Sequence, residues 1–454
     1  MKKVVNPTAP SKVDWSAVEN EAARLLSQYI QFDTTNPPGN EAAAVEFLAD
    51  IFRERGFDPR MLNSAPGRAN LIVRLTAHGE AQFSPCLLYT HIDVVPANSA
   101  GWTVPPFQGK IKDGFVWGRG ALDNKGLGII FLQALSLLKQ SGQPLSRDLI
   151  FLAAADEEVS GRDGVGWLFD HHPDLIKAEY VWDEGGVGFK QTGIGDDYLY
   201  EIAVAEKSTL AVKLIAHGTP GHASIPHPDN PQDRLVRALT RLKRWHQPAR
   251  LTGPVIEMLQ TLAARQRFPR SVLFTNAGRA WLWPLLRTIL EKEPLFSPLI
   301  RNTITLTMLR GGQSGNVIPA QAEANLDIRL LPGERATTVL AALRSVIADS
   351  KIAIEVEELP VVHAPTPVGT DFYRALAQTL QTTGPPGLAT PYLSPGTTDS
   401  RFFRRAGMKA YGFLPMLLDV QELSRIHGVN ERVSTANLRW GTQVVFETLE
   451  KLCC

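Results

Sequence analysis

Apolar positions recur at helical spacing in "SAVENEAARLLSQYIQF" and again in "EAAAVEFLADIFRERGF", with the breaker "TTNPPGN" between them and Gly56 near the end of the second. "ANLIVRL", "PCLLYT", "RDLIFLAAA" and "AEYVWD" are short, nearly continuous apolar runs, the mark of strands buried on both faces. "KGLGIIFLQALSLLKQSG" predicts a helix closed by Gly142. Helices alternating with such strands predict an α/β domain with a mostly parallel central sheet.

The pattern changes near residue 207. "STLAVKLIAHG" alternates like a half-exposed strand, and "PQDRLVRALTRLKRW" is helical. "NTITLTMLRGG" and "AEANLDIRLLPG" predict two strands, "ERATTVLAALRSVIAD" a helix and "KIAIEVEEL" a last strand. The order β-α-β-β-α-β is that of a ferredoxin-like α/β sandwich. A helical insertion over 250–300 separates its first helix from its second strand, and "VVHAPTPV" reads as a linker. The predicted domains are therefore a catalytic-size α/β domain in two parts, 1–206 and 364–454, interrupted by a smaller domain at 207–363.

A length of 454 residues suits two or three domains. The net charge of +1, without blocks of like charge, argues against a nucleic-acid partner. The opening "MKKVVNPTAPSKVDW" lacks the apolar core of a secretory signal, and no run of about 18 apolar residues predicts a membrane span. Three cysteines, Cys86, Cys453 and Cys454, do not make a disulfide framework, so a cytoplasmic location is expected.

Candidate chemistry sits where predicted strands end. His91 and Asp93 follow "PCLLYT", and residues two apart on a strand face the same way. Asp123 precedes the long helix, Glu157 and Glu158 follow "LIFLAAAD", Asp183 ends "AEYVWD", and His427 lies in "RIHGVNERV". Ligands of open α/β sheets gather outside the carboxyl ends of the strands. Two histidines with several carboxylates suit zinc, which takes nitrogen and oxygen ligands. Adjacent Glu157 and Glu158 can divide the work, one binding metal and the other acting as general base. His78, His171, His172, His227 and His246 read as surface or loop residues, and His217 stands apart as a neighbour of the "GHAS" turn.

The motifs "HIDVVPA", "GWTVPPFQG", "DGFVWGRGALDNKG", "ADEEVSG", "DEGG", "GHAS", "NVIPA", "DIRLLPG" and "IHGVNERV" occur in this order. Together they resemble the zinc exopeptidase and deacylase family of carboxypeptidase S, aminoacylase, acetylornithine deacetylase and succinyl-diaminopimelate desuccinylase. "GWTVPPFQG", "VWDEGG" and "AVAEKS" resemble most the carboxypeptidase S and N-acyl-amino-acid hydrolase branch. The resemblance implies two Zn2+ per subunit, replaceable by Co2+ or Mn2+. His91 and Asp183 would hold one, Glu158 and His427 the other, with Asp123 between them. Asp93 would orient His91, and Glu157 would be the general base. The smaller domain would be a lid through which a homodimer forms, and His222 of "GHAS" would stabilise the oxyanion in the neighbouring subunit. Asn316, Arg329 and Gly396 would contact substrate. The implied reaction is cleavage of the amide of an N-acyl amino acid or short peptide bearing a free carboxylate. The rival readings are an aminopeptidase on the same catalytic domain and a binding homologue without activity.

Overall fold

Every position of the strand Leu149–Ala154 is apolar because the strand has no solvent face. Leu149, Phe151 and Ala153 enter one core, while Ile150, Leu152 and Ala154 enter another on the opposite side. The computed structural model describes residues 13–190 and 197–454. They divide into two compact units, one running to Val204 and including Thr366–Pro391 and Thr398–Cys454, the other Ala205–Pro365 with Tyr392–Thr397.

The first unit is built on an eight-stranded mixed sheet. Its four central neighbours, Leu149–Ala154, Cys86–His91, Tyr180–Lys190 and Lys409–Leu418, run parallel. Arg60–Ala65, Arg68–Leu75 and Tyr198–Glu206 flank them as antiparallel additions. One face carries the helices Trp15–Ile30, Lys125–Ser141 and Thr435–Cys453, whose apolar rows join Leu88, Phe151, Trp182 and Phe413. The other face is covered by Trp167–His171, Pro173–Ile176 and Ser400–Arg405 against Leu87, Tyr89, Leu152 and Val181. The expected mostly parallel α/β core is therefore present. Gly142 closes the helix Lys125–Ser141 at φ +64, as its position in the sequence suggests.

The second unit has the strand order Thr303–Gly311, Gln321–Leu330, Ser208–His217, Ile352–Val356, all antiparallel. Leu210, Val212, Leu214 and Ala216 alternate inward and meet Leu326, Ile328 and the helices Pro231–Arg244 and Ala336–Ile347. Asn230 caps the first of these helices through its side chain, with Pro231 in the first turn. Between Pro231–Arg244 and Thr303–Gly311 lie the helices Gly253–Leu262, Arg270–Thr275 and Trp283–Leu290. Lys207 is fully buried where the insertion returns to the sheet. Its Nζ donates to the carbonyls of Pro298 and Arg301 and to Thr303 Oγ1, and burial pushes its pKa down to about 8.

Two small sheets escape sequence reading. Lys110–Lys112, Phe115–Trp117 and Arg432–Ser434 form one, and Gly221–His222 with Val317–Ile318 the other. Strands of two or three residues are too short to show a period. No helix among the described residues is long and apolar enough to cross a membrane.

Candidate metal centre

The carboxyl ends of the parallel strands bring the chemistry together. His91 closes its strand opposite Ala154, two residues before Asp156 starts the loop that carries Glu157 and Glu158. The ring of His91 is buried: Nδ1 lies 2.9 Å from the Asp93 carbonyl oxygen and 3.6 Å from its carboxylate. Nε2 faces Asp123 Oδ1 at 3.0 Å and Glu184 Oε1 at 3.5 Å. From the opposite side His427 Nε2 stands 3.1 Å from Asp123 Oδ2 and 3.2 Å from Glu158 Oε2. Two donor groups result, His91–Asp123–Glu184 and Asp123–Glu158–His427, each able to place one ligand atom per residue within 4.8 Å of the others. Asp123 is common to both, one carboxylate oxygen toward each imidazole.

Asp183, expected from the sequence as a ligand, lies in neither of these candidate groups. Adjacent strand residues point to opposite faces. The Asp183 carboxylate accepts from Ser400 Oγ at 2.6 Å and Thr398 Oγ1 at 3.2 Å, and its neighbour Glu184 turns toward His91. The partner strand comes close here: a Cβ on Gly412 would lie 2.0 Å from the Glu184 carbonyl oxygen. The signal for Glu184 was present in "WDEGG", but two adjacent carboxylates cannot be ranked without knowing which face each one takes.

Buried neighbours set the positions of the donors. Glu431 accepts from the backbone N–H of Leu122 and of Asp123 at 2.8 and 3.1 Å, and Arg119 pairs with its other oxygen. Arg119 Nη2 also donates to the carbonyls of His427 and Gly428, so one ion pair ties the Asp123 loop to the His427 loop. Asn124 Oδ1 accepts from the His91 backbone N–H at 3.2 Å and from Thr90 Oγ1. Asp93 receives the backbone N–H groups of both Glu157 and Glu158, each at 3.1 Å. Glu431 and Arg119 were not singled out in the sequence, because "NERV" and "WGRG" look like solvated loop residues.

The electrostatics suit a cation. Burial raises the Glu158 carboxyl to about 7, helped by the charge of Asp123. Burial also pushes Glu157 well up, reinforced by Glu184, Asp399 and Glu158 against the opposing His91. Burial would depress the His91 ring, yet Glu184, Asp123 and Asp93 drive its pKa well up. Hydrogen bonds to Asp123 and Glu158 raise His427 to about 10. Glu158 Oε1 is buried without a hydrogen-bond partner. Crowded carboxylates, one buried and one exposed imidazole that both face Asp123, and a buried acceptor left over make a donor set that fits divalent cations, whose charge would relieve the repulsion.

The remaining candidates lie in the second unit. His222 and Asn316 are both exposed and meet through a two-stranded ribbon, with His222 opposite Val317 and the Ala223 N–H donating to the Asn316 carbonyl. The Ser224 backbone N–H donates to His222 Nδ1 at 3.1 Å. A backbone N–H can only donate, so a neutral His222 ring carries its proton on Nε2. Arg329 closes a two-point pair on Asp327 at 2.7 and 2.9 Å, and its Nη1 reaches Thr397 Oγ1 at 3.3 Å. Thr397 adjoins exposed Gly396. The structure thus groups His222 with Asn316, and Arg329 with the segment that bears Gly396.

An open, mostly parallel sheet with two candidate donor groups that share Asp123 suits a metal-dependent hydrolase. Residues 87–451 match Peptidase family M20/M25/M40, to which the chain belongs, and it is a metal-dependent amide hydrolase. Human N-fatty-acyl-amino acid synthase/hydrolase PM20D1 is 33% identical over 385 residues, 82% of this chain and 74% of that protein. Aminoacylase-1 of Sus scrofa is 26% identical over 96% of each chain. The M20 family metallo-carboxypeptidase Sso-CP2 from Sulfolobus solfataricus shares the fold at a TM-score of 0.71 and 18% identity, over 95% of this chain and 98% of its own. Human carnosine dipeptidase 1 does so at 0.70 and 16%, over 96% and 98%. These relatives support the carboxypeptidase S and N-acyl-amino-acid hydrolase branch.

Proposed function

We propose that the protein is a dinuclear zinc hydrolase of N-acyl amino acids, or of short peptides, that carry a free carboxylate. The observation that carries this reading is the pair of donor groups sharing Asp123. His91, Asp123 and Glu184 would hold one Zn2+, and Asp123, Glu158 and His427 the other. Cations held there would supply a Lewis acid for the substrate carbonyl and would lower the pKa of water toward neutral pH.

The chain's own groups do the rest. Glu157 accepts the proton of the attacking water on its carboxylate and later delivers it to the leaving amine as the C–N bond breaks. Asp93 keeps the His91 ring in place and also holds the backbone of Glu157 and Glu158. His222 donates from Nε2 to the oxyanion, and it acts in the neighbouring subunit of a homodimer. Arg329 offers its Nη1 edge to the substrate carboxylate, with Gly396 and Asn316 as further contacts. The names of the relatives PM20D1 and aminoacylase-1 support an acyl amino acid as substrate. On the insertion helix Trp283–Leu290 and the turn before it, Trp281 and Leu285 are exposed while Leu282, Leu286 and Leu290 are buried, which supports an apolar surface free to receive an acyl chain. Cytoplasmic location belongs to the same reading, supported by three free cysteines.

The test is elemental analysis of the purified protein together with turnover of N-acyl amino acids, dipeptides and free-amine aminopeptidase substrates. Two zinc per chain and preference for the acylated, carboxylate-bearing compounds are expected. Preference for substrates with a free amine and a blocked carboxylate would replace the reading with an aminopeptidase.

A further inference from the structure

The donor groups do not explain a second buried network beneath them. Asn36, in "TTNPPGN", is 3% exposed, and its amide Nδ2 lies 2.8 Å from Asp93 Oδ2 and 3.0 Å from Asp156 Oδ1. An amide nitrogen has two hydrogens. Here each one finds a different carboxylate, so Asn36 separates two negative charges that would otherwise repel.

Both carboxylates hold working parts of the site. Asp93 lies against the His91 ring and receives the N–H groups of Glu157 and Glu158. Asp156 immediately precedes Glu157 at φ +72, a left-handed conformation uncommon outside glycine that aspartate tolerates better than most residues. Hydrogen-bond donors surround it. Ser160 Oγ and the Asp163 N–H donate to Asp156 Oδ2, and the N–H groups of Ser160 and Gly161 donate to its carbonyl. Arg68 Nη2 bonds Asp156 Oδ1 and Glu41 Oε1, each at 3.1 Å, while Nη1 holds the Pro38 carbonyl of the segment that carries Asn36. Gly39 leaves room for this guanidinium, since a Cβ there would lie 2.4 Å from Arg68 Cζ.

We propose that Asn36, clamped with Asp156 by Arg68, is a positioning residue that locks the His91 support and the Glu157–Glu158 loop into one rigid body. The inference rests on the proposed roles of His91, Glu157 and Glu158. Asn36 touches neither metal nor substrate and acts through Asp93 and Asp156. Its loss lets the base and two ligands drift relative to each other.

Two readouts test it. The first is zinc affinity, measured by competition with a chromophoric chelator, which needs no substrate. The second is the division between kcat and KM. Asn36→Ala is expected to weaken zinc by about 10–100-fold and to lower kcat by a similar factor, the usual worth of partners that orient ligands. KM stays within about twofold. Asn36→Asp has the same shape but no donors and adds a third carboxylate, so it is expected to be worse than Ala. Ser160→Ala removes a donor to Asp156 at a half-buried position, so it keeps the fold if Asn36 variants do not, with kcat several-fold lower. A folded Asn36→Ala protein with wild-type zinc affinity and kcat overturns the proposal. So does an Asn36→Asp protein more active than Ala, because shape and not donation would then matter. If the substrate assignment is wrong, wild type fails to turn over while the zinc competition still reports on the network.

Discussion

The two units hold most of their candidate residues in opposite ways, with exposed His427 the exception in the first and half-buried Arg329 in the second. In the sheet unit, His91, Asp93 and Asp183 are fully buried, and the Asp123 backbone is fixed by Glu431 and the Glu157 and Glu158 backbones by Asp93. In the second unit His222, Asn316 and Gly396 are exposed, on a ribbon of two-residue strands or on a turn. The difference teaches what each group needs. A cation demands several donors fixed to a few tenths of an ångström, which only a packed scaffold with satisfied neighbours supplies. Under the proposed roles, a donor that meets an oxyanion or a carboxylate must stay open to substrate, which fits the exposure of His222, Asn316 and Gly396.

The comparison breaks most sharply at the pair Asp183 and Glu184. Glu184→Gln is expected to weaken metal by more than the roughly 10–100-fold that outer partners are worth, and to abolish turnover with it. Asp183→Asn keeps its place against Ser400 and Thr398 and stays within that range. Chelator competition on both variants decides it, and equal losses would return Asp183 to the donor set. Next, Glu157→Gln is expected to leave metal content unchanged and to lower kcat by about 10²–10⁴. Near-wild-type turnover of the metal-loaded protein would remove Glu157 as base.

Strand runs, the long helix and the β-α-β-β-α-β order were legible because buried faces force apolar residues into a period, and that period survives in "RDLIFLAAA" and "KGLGIIFLQALSLLKQSG". His91 and Glu158 were legible as residue types at strand ends, and Asp123 and His427 through the motifs that carry them, though their grouping is a property of the fold. What stayed hidden depends on direction. "WDEGG" offers two carboxylates, and only the face that strand pairing gives each one separates them. The partners Asn36, Arg68, Asp156, Arg119 and Glu431 are polar residues in loop-like segments, and nothing local marks them as buried. Arg329 pairing with Asp327 was readable from their spacing of two on one strand, and it occupies part of the fork expected for substrate.

The second unit gives a smaller effect that sharpens the contrast. His222→Ala is expected to lower kcat by about 10²–10³, the range for loss of one oxyanion donor, without changing metal content. Mixing it with Glu157→Gln would restore part of the activity if His222 serves the neighbouring subunit of a dimer. Subunit exchange seen by mass without returning activity would end the role in trans.

The smallest expected effect concerns the insertion. Trp281 is 74% exposed and Leu285 54%, four residues apart, and Leu286 and Leu290 have no exposure at all. The buried row already packs the helix, so the outer pair is spare apolar surface. Removing an exposed side chain away from special contacts usually changes stability by no more than about 0.5 kcal/mol, so Trp281→Ala should melt like wild type. If the surface receives acyl chains, kcat/KM rises from acetyl toward long-chain N-acyl amino acids, with up to about 0.8 kcal/mol for each buried CH2. Trp281→Ala then flattens that rise and leaves the acetyl substrate unaffected. Trp283, half-buried at the start of the helix, separates packing from recognition. Its truncation should cost stability as well as slope, and equal losses for every chain length in Trp281→Ala would return the outer row to a structural role.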